Sequence, residues 1–337
     1  MALSTTSVIP SEHSDVVLDV AYNYYGNRMA TASADHTVCI WDLQDDGKWK
    51  KVASITTNAG AVWKVNWAHP DFGQVIATCS FDKVVSIWEE LPEQRGIQHT
   101  GHIWAKRTQL VDAKTPVIDV RFAPKHLGLM LAAASTDGVL RVYEAADAPN
   151  VRHMSVFDSQ QVSGRLSCLA WSTSMLLAPL LAAGMAELNP TAASTASGFY
   201  VVLFLYTQDN RRLIRLQNVA CPIYEPVNDL DFAPSLGRNY HVLGVGGKSL
   251  TILNIAPITS HSSTGSDQPG QASAALLPFD VVPCPLRGGR ENALVWCVSW
   301  NATGTILATS HDDGTVCLWK CDHLGGWQCI SGRTSDN

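Results

Sequence analysis

The sequence predicts an all-β fold made of six repeated units, each with four short strands. Three observations support this: a recurring apolar strand that ends in an aromatic residue, a strand of small residues that follows it, and almost no stretch with the helical period of 3.6 residues. Gly, Asp, Asn and Pro, which are typical turn residues, separate the strands. Each repeat is therefore interpreted as one four-stranded sheet, and helices should be scarce.

The first strand of the repeat occurs six times. Its copies are VVLDVAY, AVWKVNW, PVIDVRF, RLSCLAW, PVNDLDF and LVWCVSW, which end at Tyr22, Trp67, Phe122, Trp171, Phe232 and Trp300. Four copies continue with small residues, a turn that contains Asp, and an alternating strand that ends in an aromatic residue. These fuller copies are residues 29–42, 75–90, 129–144 and 305–320. This order and spacing are typical of a WD repeat, so we expect a WD40 β-propeller with six blades.

We expect residues 1–337 to form a single WD40 propeller domain. The six blades are predicted at residues 13–57, 58–112, 113–160, 161–220, 221–285 and 290–331. The pattern is weak in blade 4, where Glu187 to Gly198 is an insertion rich in Ala, Thr and Ser, and in blade 5, where Leu253 replaces the aromatic residue. Residues 257–278 are rich in Ser, Gly, Pro and Ala and are predicted to be a flexible loop.

Composition argues against several classes of function. The formal net charge is −6 with only 24 Lys and Arg residues, so direct binding to nucleic acid or to anionic lipid is not expected. The N-terminal residues resemble no secretory signal, and the longest apolar run, Phe199 to Tyr206, is far too short to span a bilayer. The nine cysteines lie mostly inside apolar strands, which favours reduced core thiols over disulfides.

Blade 1 contains four polar or aromatic residues at the spacing of the hydrogen-bonded tetrad of WD repeats. They are His13, Thr31, Asp35 and Trp41. A buried Asp carboxylate needs donors, which His supplies, while the Thr hydroxyl and the Trp indole N–H extend the chain of hydrogen bonds. We interpret the tetrad as structural.

His, Thr and Asp are also the residue types of a catalytic base, nucleophile and acid, but the other blades argue against that interpretation. Near the expected His of blade 2 stand Asn58 and Gly60, and Ala133 replaces the hydroxyl residue in blade 3. Because the set is complete only in blade 1, we interpret it as a stabilising motif that an individual blade does not require.

Two further patterns predict no ligand site. Residues 247–249 resemble the end of a phosphate-binding loop, but Val242 stands where a Gly is required and no helix follows. One group of possible zinc ligands matches no common zinc spacing. It consists of Cys317, Cys321, His323 and Cys329. We therefore predict no catalytic residue, no cofactor and no metal.

Three segments go beyond a general WD repeat. They are residues 62–90, 104–145 and 227–244. The first resembles the second blade of the small family that contains the Sec-type subunit of the COPII coat and the Seh-type nucleoporin. The other two, with AKRTQLVD and APKHLGLML in the longer one, are similar to the nucleoporin branch. The resemblance covers nearly the whole chain.

The resemblance implies an open six-bladed propeller, completed by a seventh blade that an α-solenoid nucleoporin of the Y-shaped complex donates. It also implies a non-enzymatic scaffold in the outer ring of the nuclear pore complex at the nuclear envelope, with other outer-ring nucleoporins as partners. Such a scaffold supports pore assembly and the transport of protein and mRNA. The alternatives are a GATOR-type nutrient-signalling complex in the cytoplasm or at the lysosome surface, a COPII-like coat, and a WD40 substrate adaptor.

An open ring would leave the outward faces of its first and last blades uncovered and apolar. A donated sheet that covers both faces would bury roughly 2,000 Å² or more, which is the class of obligate interfaces. We expect its contacts on blades 1 and 6, at Val16, Leu18, Val20, Val295, Val298 and Leu318.

Overall fold

A computed structural model describes eleven parts of the chain. They are residues 9–57, 60–91, 102–145, 151–189, 199–207, 211–216, 219, 221–258, 279–288, 293–323 and 325–333. The chain divides into two compact units, Met1–Gln161 and Val162–Asn337. Each unit contains three sheets, numbered here 1 to 6 in chain order, of which the first five have four antiparallel strands and sheet 6 has an additional parallel strand. The predicted fold class, an all-β chain of six WD-type blades, is confirmed.

Unit 1 holds sheets 1 to 3, and in each of them the strands lie side by side in chain order. Sheet 1 consists of β1 (Val17–Tyr22), β2 (Arg28–Ser33), β3 (Thr37–Leu43) and β4 (Trp49–Thr56). Sheet 2 consists of β5 (Val62–Trp67), β6 (Val75–Ser80), β7 (Val85–Glu90) and β8 (Trp104–Leu110). Sheet 3 consists of β9 (Val117–Phe122), β10 (Met130–Ser135), β11 (Val139–Ala145) and β12 (Met154–Gln161).

Unit 2 holds sheets 4 to 6. Sheet 4 consists of β13 (Gly164–Trp171), β14 (Leu180–Leu188), β15 (Val201–Thr207) and β16 (Arg212–Arg215). Sheet 5 consists of β17 (Val227–Phe232), β18 (His241–Gly247), β19 (Leu250–Pro257) and β20 (Phe279–Pro283). Sheet 6 consists of β21 (Leu286–Arg287), β22 (Val295–Trp300), β23 (Ile306–His311), β24 (Val316–Cys321) and β25 (Trp327–Arg333).

Strand β21 is a difference from the sequence prediction, which begins blade 6 at residue 290. Residues Leu286–Arg287 pair in parallel with the start of β25, and the Trp327 N–H donates to the Pro285 carbonyl at 2.8 Å. This pairing satisfies backbone groups on the outer edge of sheet 6, which would otherwise be open. Such a two-residue strand has no hydrophobic period that a sequence pattern could reveal.

Helices are scarce, as predicted. The described residues contain two 3₁₀ turns, Pro70–Phe72 and Lys125–Leu127, and none of their helices is long and apolar enough to cross a membrane. The predicted flexible loop at 257–278 overlaps the structure at its beginning only. Pro257 ends β19 and Ile258 follows it, while residues 259–278 lie outside the described residues.

The core of each unit lies between neighbouring sheets. In unit 1, Ala30 and Ile40 of sheet 1 pack against Val65 and Trp88 of sheet 2, and a second cluster joins sheets 2 and 3. In unit 2, one cluster joins sheets 4 and 5 and another joins sheets 5 and 6. Successive side chains of a strand point to opposite faces of its sheet. When a neighbouring sheet covers each face, the inner strand therefore contributes side chains to the core on both sides.

The inner strands of neighbouring sheets are also joined by hydrogen bonds. In unit 1, the Asp19 carboxylate accepts a hydrogen bond from the Val65 N–H at 3.0 Å, and the Asn66 side-chain oxygen accepts one from the Phe122 N–H at 2.8 Å. Both acceptors point from one inner strand toward the next sheet of the chain. They satisfy backbone groups that have no partner in their own ladder at that point.

The same contact joins sheets 5 and 6 in unit 2. The carboxylate of Asp229 accepts a hydrogen bond from the buried Val298 N–H, and that of Asp231 accepts one from the Trp300 N–H, both at 2.9 Å. The position in β22 that is equivalent to Asp229 is Cys297, which is exposed.

The substitution Asp229→Ala should therefore lower the free energy of unfolding by about 1–3 kcal/mol, because the Val298 N–H would remain buried without this acceptor. Cys297→Ser is the matched control and should change it by less than about 0.5 kcal/mol, as expected of an exposed position. Urea unfolding followed by tryptophan fluorescence measures both. Equal effects of the two substitutions would contradict a stabilising role for the bond between sheets.

Candidate functional site

The four residues of the predicted tetrad come together in sheet 1. His13 precedes β1, Thr31 lies in β2, Asp35 in the turn after β2, and Trp41 in β3. The His13 Nδ1 atom lies 2.9 Å from Asp35 Oδ2, and His13 Nε2 lies 2.8 Å from Thr31 Oγ1. The Trp41 Nε1–H donates to Thr31 Oγ1 at 3.0 Å. With the His13 proton on Nδ1, each member donates to the next, from Trp41 through Thr31 and His13 to Asp35.

This geometry favours the structural interpretation over the catalytic one. The side chain of His13 has no exposed surface, so no substrate can reach the imidazole in this arrangement. The Asp35 carboxylate accepts further hydrogen bonds from the Thr37 hydroxyl at 2.6 Å and from the Ser14 N–H at 3.0 Å. The role of the tetrad as a structural support stays a prediction, which two experiments can test.

In the first experiment, Thr31→Val replaces the hydroxyl at the centre of the tetrad with a methyl group of similar size. The buried Trp41 indole and His13 imidazole both lose this partner, so the free energy of unfolding should fall by about 1–3 kcal/mol. In sheet 2, Thr78 is the equivalent of Thr31, and its Oγ1 accepts a hydrogen bond from the Trp88 Nε1–H at 3.2 Å. Asn58, which stands near the expected position of the His in this blade, lies outside the described residues. Thr78→Val is the comparison, and we expect a smaller loss. An equal loss would mean that His13 contributes nothing.

The second experiment uses pH. Burial alone would raise the pKa of Asp35, but hydrogen bonds from Thr37, Ser14 and His13 outweigh it and lower the pKa well below the ordinary value of 3.8. Because the pKa is lower in the folded state, the stabilisation is complete above the ordinary pKa and is lost as pH falls through the folded pKa. Asp35→Asn should therefore destabilise the protein more at pH 7 than at pH 3. A difference that does not change with pH would contradict this assignment.

Sheet 6 contains a related set that the sequence analysis missed. The Trp319 Nε1–H donates to Thr309 Oγ1 at 3.0 Å, and His311 Nε2 lies 3.0 Å from the same hydroxyl. Here the His comes from the end of β23, two residues after the Thr, and not from the segment before the inner strand. The signal in the sequence is the separation of ten residues between Thr and Trp, which is the same as between Thr31 and Trp41.

Among the described residues of unit 1, no neighbouring sheet covers one face of β1, the inner strand of sheet 1. Val16 precedes this strand, and Leu18, Val20 and Tyr22 alternate along it; all four are exposed. Val20 is 47% exposed, whereas the equivalent Val65 in sheet 2 is 2% exposed. The opposite face of β1, with Asp19 and Ala21, packs on sheet 2.

The outer part of this face is covered by the N-terminal segment. Ile9 packs on a cluster of Met29, Cys39 and Trp41, with Trp49 beside it. The Glu12 carboxylate forms an ion pair with Lys51 at 2.8 Å. In sheet 2, Trp88 is the equivalent of Trp41, and β4, the outer strand of sheet 1, packs against it. Ile9 thus covers part of sheet 1 in the same way as β4 covers part of sheet 2.

Sheet 6 also has an exposed face, and of the three residues that the sequence analysis selected in this blade only Leu318 lies on it. Val295 and Val298 are 1% and 3% exposed because they face sheet 5, where they pack against Gly246. Their assignment to an accessible face is therefore corrected. The opposite face contains exposed Cys297 and Val316, with the predicted residue Leu318 half-buried beside them.

A partly buried ion-pair network joins sheet 1 to sheet 2. The Arg28 guanidinium donates to the Asp42 carboxylate at 2.7 Å and to both oxygens of Glu90 at 2.5 and 3.1 Å. Burial alone would raise the pKa of Glu90, but Arg28 outweighs it and lowers the pKa. The bidentate geometry fixes the position of sheet 1, the sheet with the uncovered inner strand.

The described residues contain no group of three or more His, Cys, Asp or Glu residues that could hold a metal ion. Gly247 ends β18, and residues 248–249 form the turn to β19, as expected for a strand pair; Lys248 pairs with Glu225 at 3.4 Å. A strand follows this turn, so no helix N-terminus is present there to bind a phosphate.

Comparison with known proteins identifies the family. Residues 5–42, 49–89 and 284–320 match the family described as WD domain, G-beta repeat. The chain is 41% identical to nucleoporin SEH1 of Osmerus mordax over 95% of its own length and 85% of the relative's. It is 40% identical to nucleoporin SEH1-A of Xenopus laevis over 97% and 88% of the two chains. The chain belongs to the nucleoporin SEH1 family. Nucleoporin SEH1 of Homo sapiens is 39% identical over 95% of this chain and 86% of its own length.

Membership of this family agrees with the resemblance inferred from the sequence, and the nucleoporin branch was the correct choice. The SEH1 relatives extend over both units, so the similarity is not confined to the repeats with the strongest WD pattern. The predicted partner contacts Val16, Leu18 and Val20 lie on the exposed face of sheet 1, and their role in binding stays a prediction.

Proposed function

We propose that this SEH1-family chain is a non-enzymatic scaffold subunit of the nuclear pore complex, at the nuclear envelope. Its partners are other outer-ring nucleoporins of the Y-shaped complex, and it supports pore assembly and the transport of protein and mRNA. The names of its relatives support the scaffold role among nucleoporins. The formal net charge of −6 supports contact through protein partners instead of nucleic acid or anionic lipid.

The finer proposal is that the ring is open and that an α-solenoid nucleoporin donates a sheet to complete it. One observation carries this proposal: Val20 is 47% exposed, although the equivalent Val65 and Val120 are 2% and 1% exposed. Such a row of exposed apolar side chains on an ordered strand is typical of an interaction site. In unit 2, the exposed side of sheet 6 is the second face that the donated sheet would cover.

Ile9 limits what the partner has to supply on sheet 1. It already covers Met29 and Trp41 in the outer half of the face, so the partner meets mainly the inner strand β1. The two faces together would still form an interface of roughly 2,000 Å² or more. An interface of that class is stable for the lifetime of a scaffold, which fits a structural subunit.

The experiment that tests the proposal measures binding of the full chain to the solenoid nucleoporin of the same organism. Val20→Glu should weaken binding at least about thirtyfold, which corresponds to roughly 2 kcal/mol, because a buried carboxylate without a partner would lie at the centre of the interface. Val316→Glu tests the face of sheet 6 in the same way. Isothermal titration calorimetry measures the dissociation constants.

Val156→Glu is the matched control, because Val156 is also exposed but lies on β12 in sheet 3. It should bind like the wild type, and thermal unfolding should show that all three variants are folded. Wild-type affinity of Val20→Glu would contradict the proposal. So would purification of the chain from cells with a coat cage protein or the core of a ubiquitin ligase in place of solenoid nucleoporins.

A further inference from the structure

We infer that the turn between β1 and β2, Asn23–Asn27, is a second contact for the proposed partner and binds an arginine side chain of that partner. The inference rests on the proposed function, because the turn directly follows Tyr22, the last residue of β1 and of its uncovered row. It adds a site outside the sheet and a chemical identity for the group that binds there.

The turn is held in one conformation by the side chain of Asn23. Its oxygen accepts hydrogen bonds from the backbone N–H groups of Asn27 at 3.2 Å and Arg28 at 3.1 Å, and its amide donates to the Asn27 side chain at 2.8 Å. Gly26 has a φ of +69°, which glycine adopts without strain. The turn is therefore preorganised, and binding to it requires little loss of backbone entropy.

Two tyrosines stand at the tip of this turn. Tyr24 and Tyr25 are 69% and 66% exposed, and their rings are perpendicular with centroids 5.3 Å apart. Tyr24 also packs against the ring of His69, which follows β5, with ring centroids 4.7 Å apart. Rigid, accessible tyrosines are enriched among the residues that contribute most to protein interfaces. They lie next to Tyr22, whose ring packs on Trp49 at the border of the uncovered face.

The charges around the turn favour a cation. The faces of the tyrosine rings carry negative potential, and the exposed Asp71 carboxylate lies 3.5 Å from the His69 ring that contacts Tyr24. Lys125 already pairs with Asp71 at 3.2 Å, but an exposed ion pair contributes little stability, so an arriving cation can replace it. A planar guanidinium can stack on a tyrosine ring and bind a carboxylate at the same time, which a lysine does less well.

The test uses the full chain and the solenoid nucleoporin in the same calorimetric assay. The double variant Tyr24→Ala, Tyr25→Ala should raise the dissociation constant about tenfold or more, as expected for interface anchors. Tyr24→Phe keeps the ring and should bind like the wild type. Asp71→Asn should raise the dissociation constant a few-fold, and less so in high salt. The matched control is Tyr224→Ala, because Tyr224 is equally exposed but lies in unit 2, and it should have no effect.

The outcomes separate this inference from the proposed function. If the double variant binds like the wild type while Val20→Glu does not bind, the turn is no contact and the proposed function stands. If Val20→Glu binds like the wild type, the proposed function fails, whatever the tyrosine variants do. If Tyr24→Phe loses as much affinity as the double variant, or Asp71→Asn loses none, the arginine assignment is wrong.

Discussion

The structure depends on one constraint, which is that every sheet presents two faces and each must be covered. The alternation of side chains along the inner strands assigns apolar residues such as Val65 and Val298 to one face and acceptors such as Asp19 and Asp229 to the other. Sheet 2 in unit 1 and sheet 5 in unit 2 meet the constraint with neighbours on both sides. Within the described residues of unit 1, sheet 1 has a neighbouring sheet on one side only, and the proposed function assigns its other face to a partner.

The polar groups follow the same constraint. A carboxylate such as Asp229 is tolerated in a core because the backbone of the next inner strand supplies a donor, and Asp35 is tolerated because the tetrad and its neighbours do. These contacts tie the sheets to one another and close the turns. They explain how His13, Thr31 and Asp35 can come together in sheet 1 as a buried set of hydrogen-bonded side chains.

The sequence was sufficient to predict the repeats, the six sheets and the members of the first tetrad, because strand-ending aromatic residues and the spacing from Thr31 to Trp41 are local features. It was not sufficient to decide which face of an inner strand is free. Val298 is the equivalent of Val20, and both strands have the same bulge, but sheet 5 covers this face of β22, whereas no described sheet of unit 1 covers it in β1. The cover that Ile9 provides and the His311 contact are likewise tertiary features, which no period of two residues encodes.

The uncovered strand is also unusually well prepared for a partner. β1 is paired with β2 along its length, Asp19 holds it to sheet 2, and the Arg28 network holds the end of β2. A partner that packs on it therefore orders few groups that are not already ordered, so more of the free energy of apolar burial is available for affinity. A face that had no partner would not need to be fixed so firmly, because exposed apolar side chains gain nothing from rigidity. The combination of exposure and restraint is thus what the proposed function requires of this face.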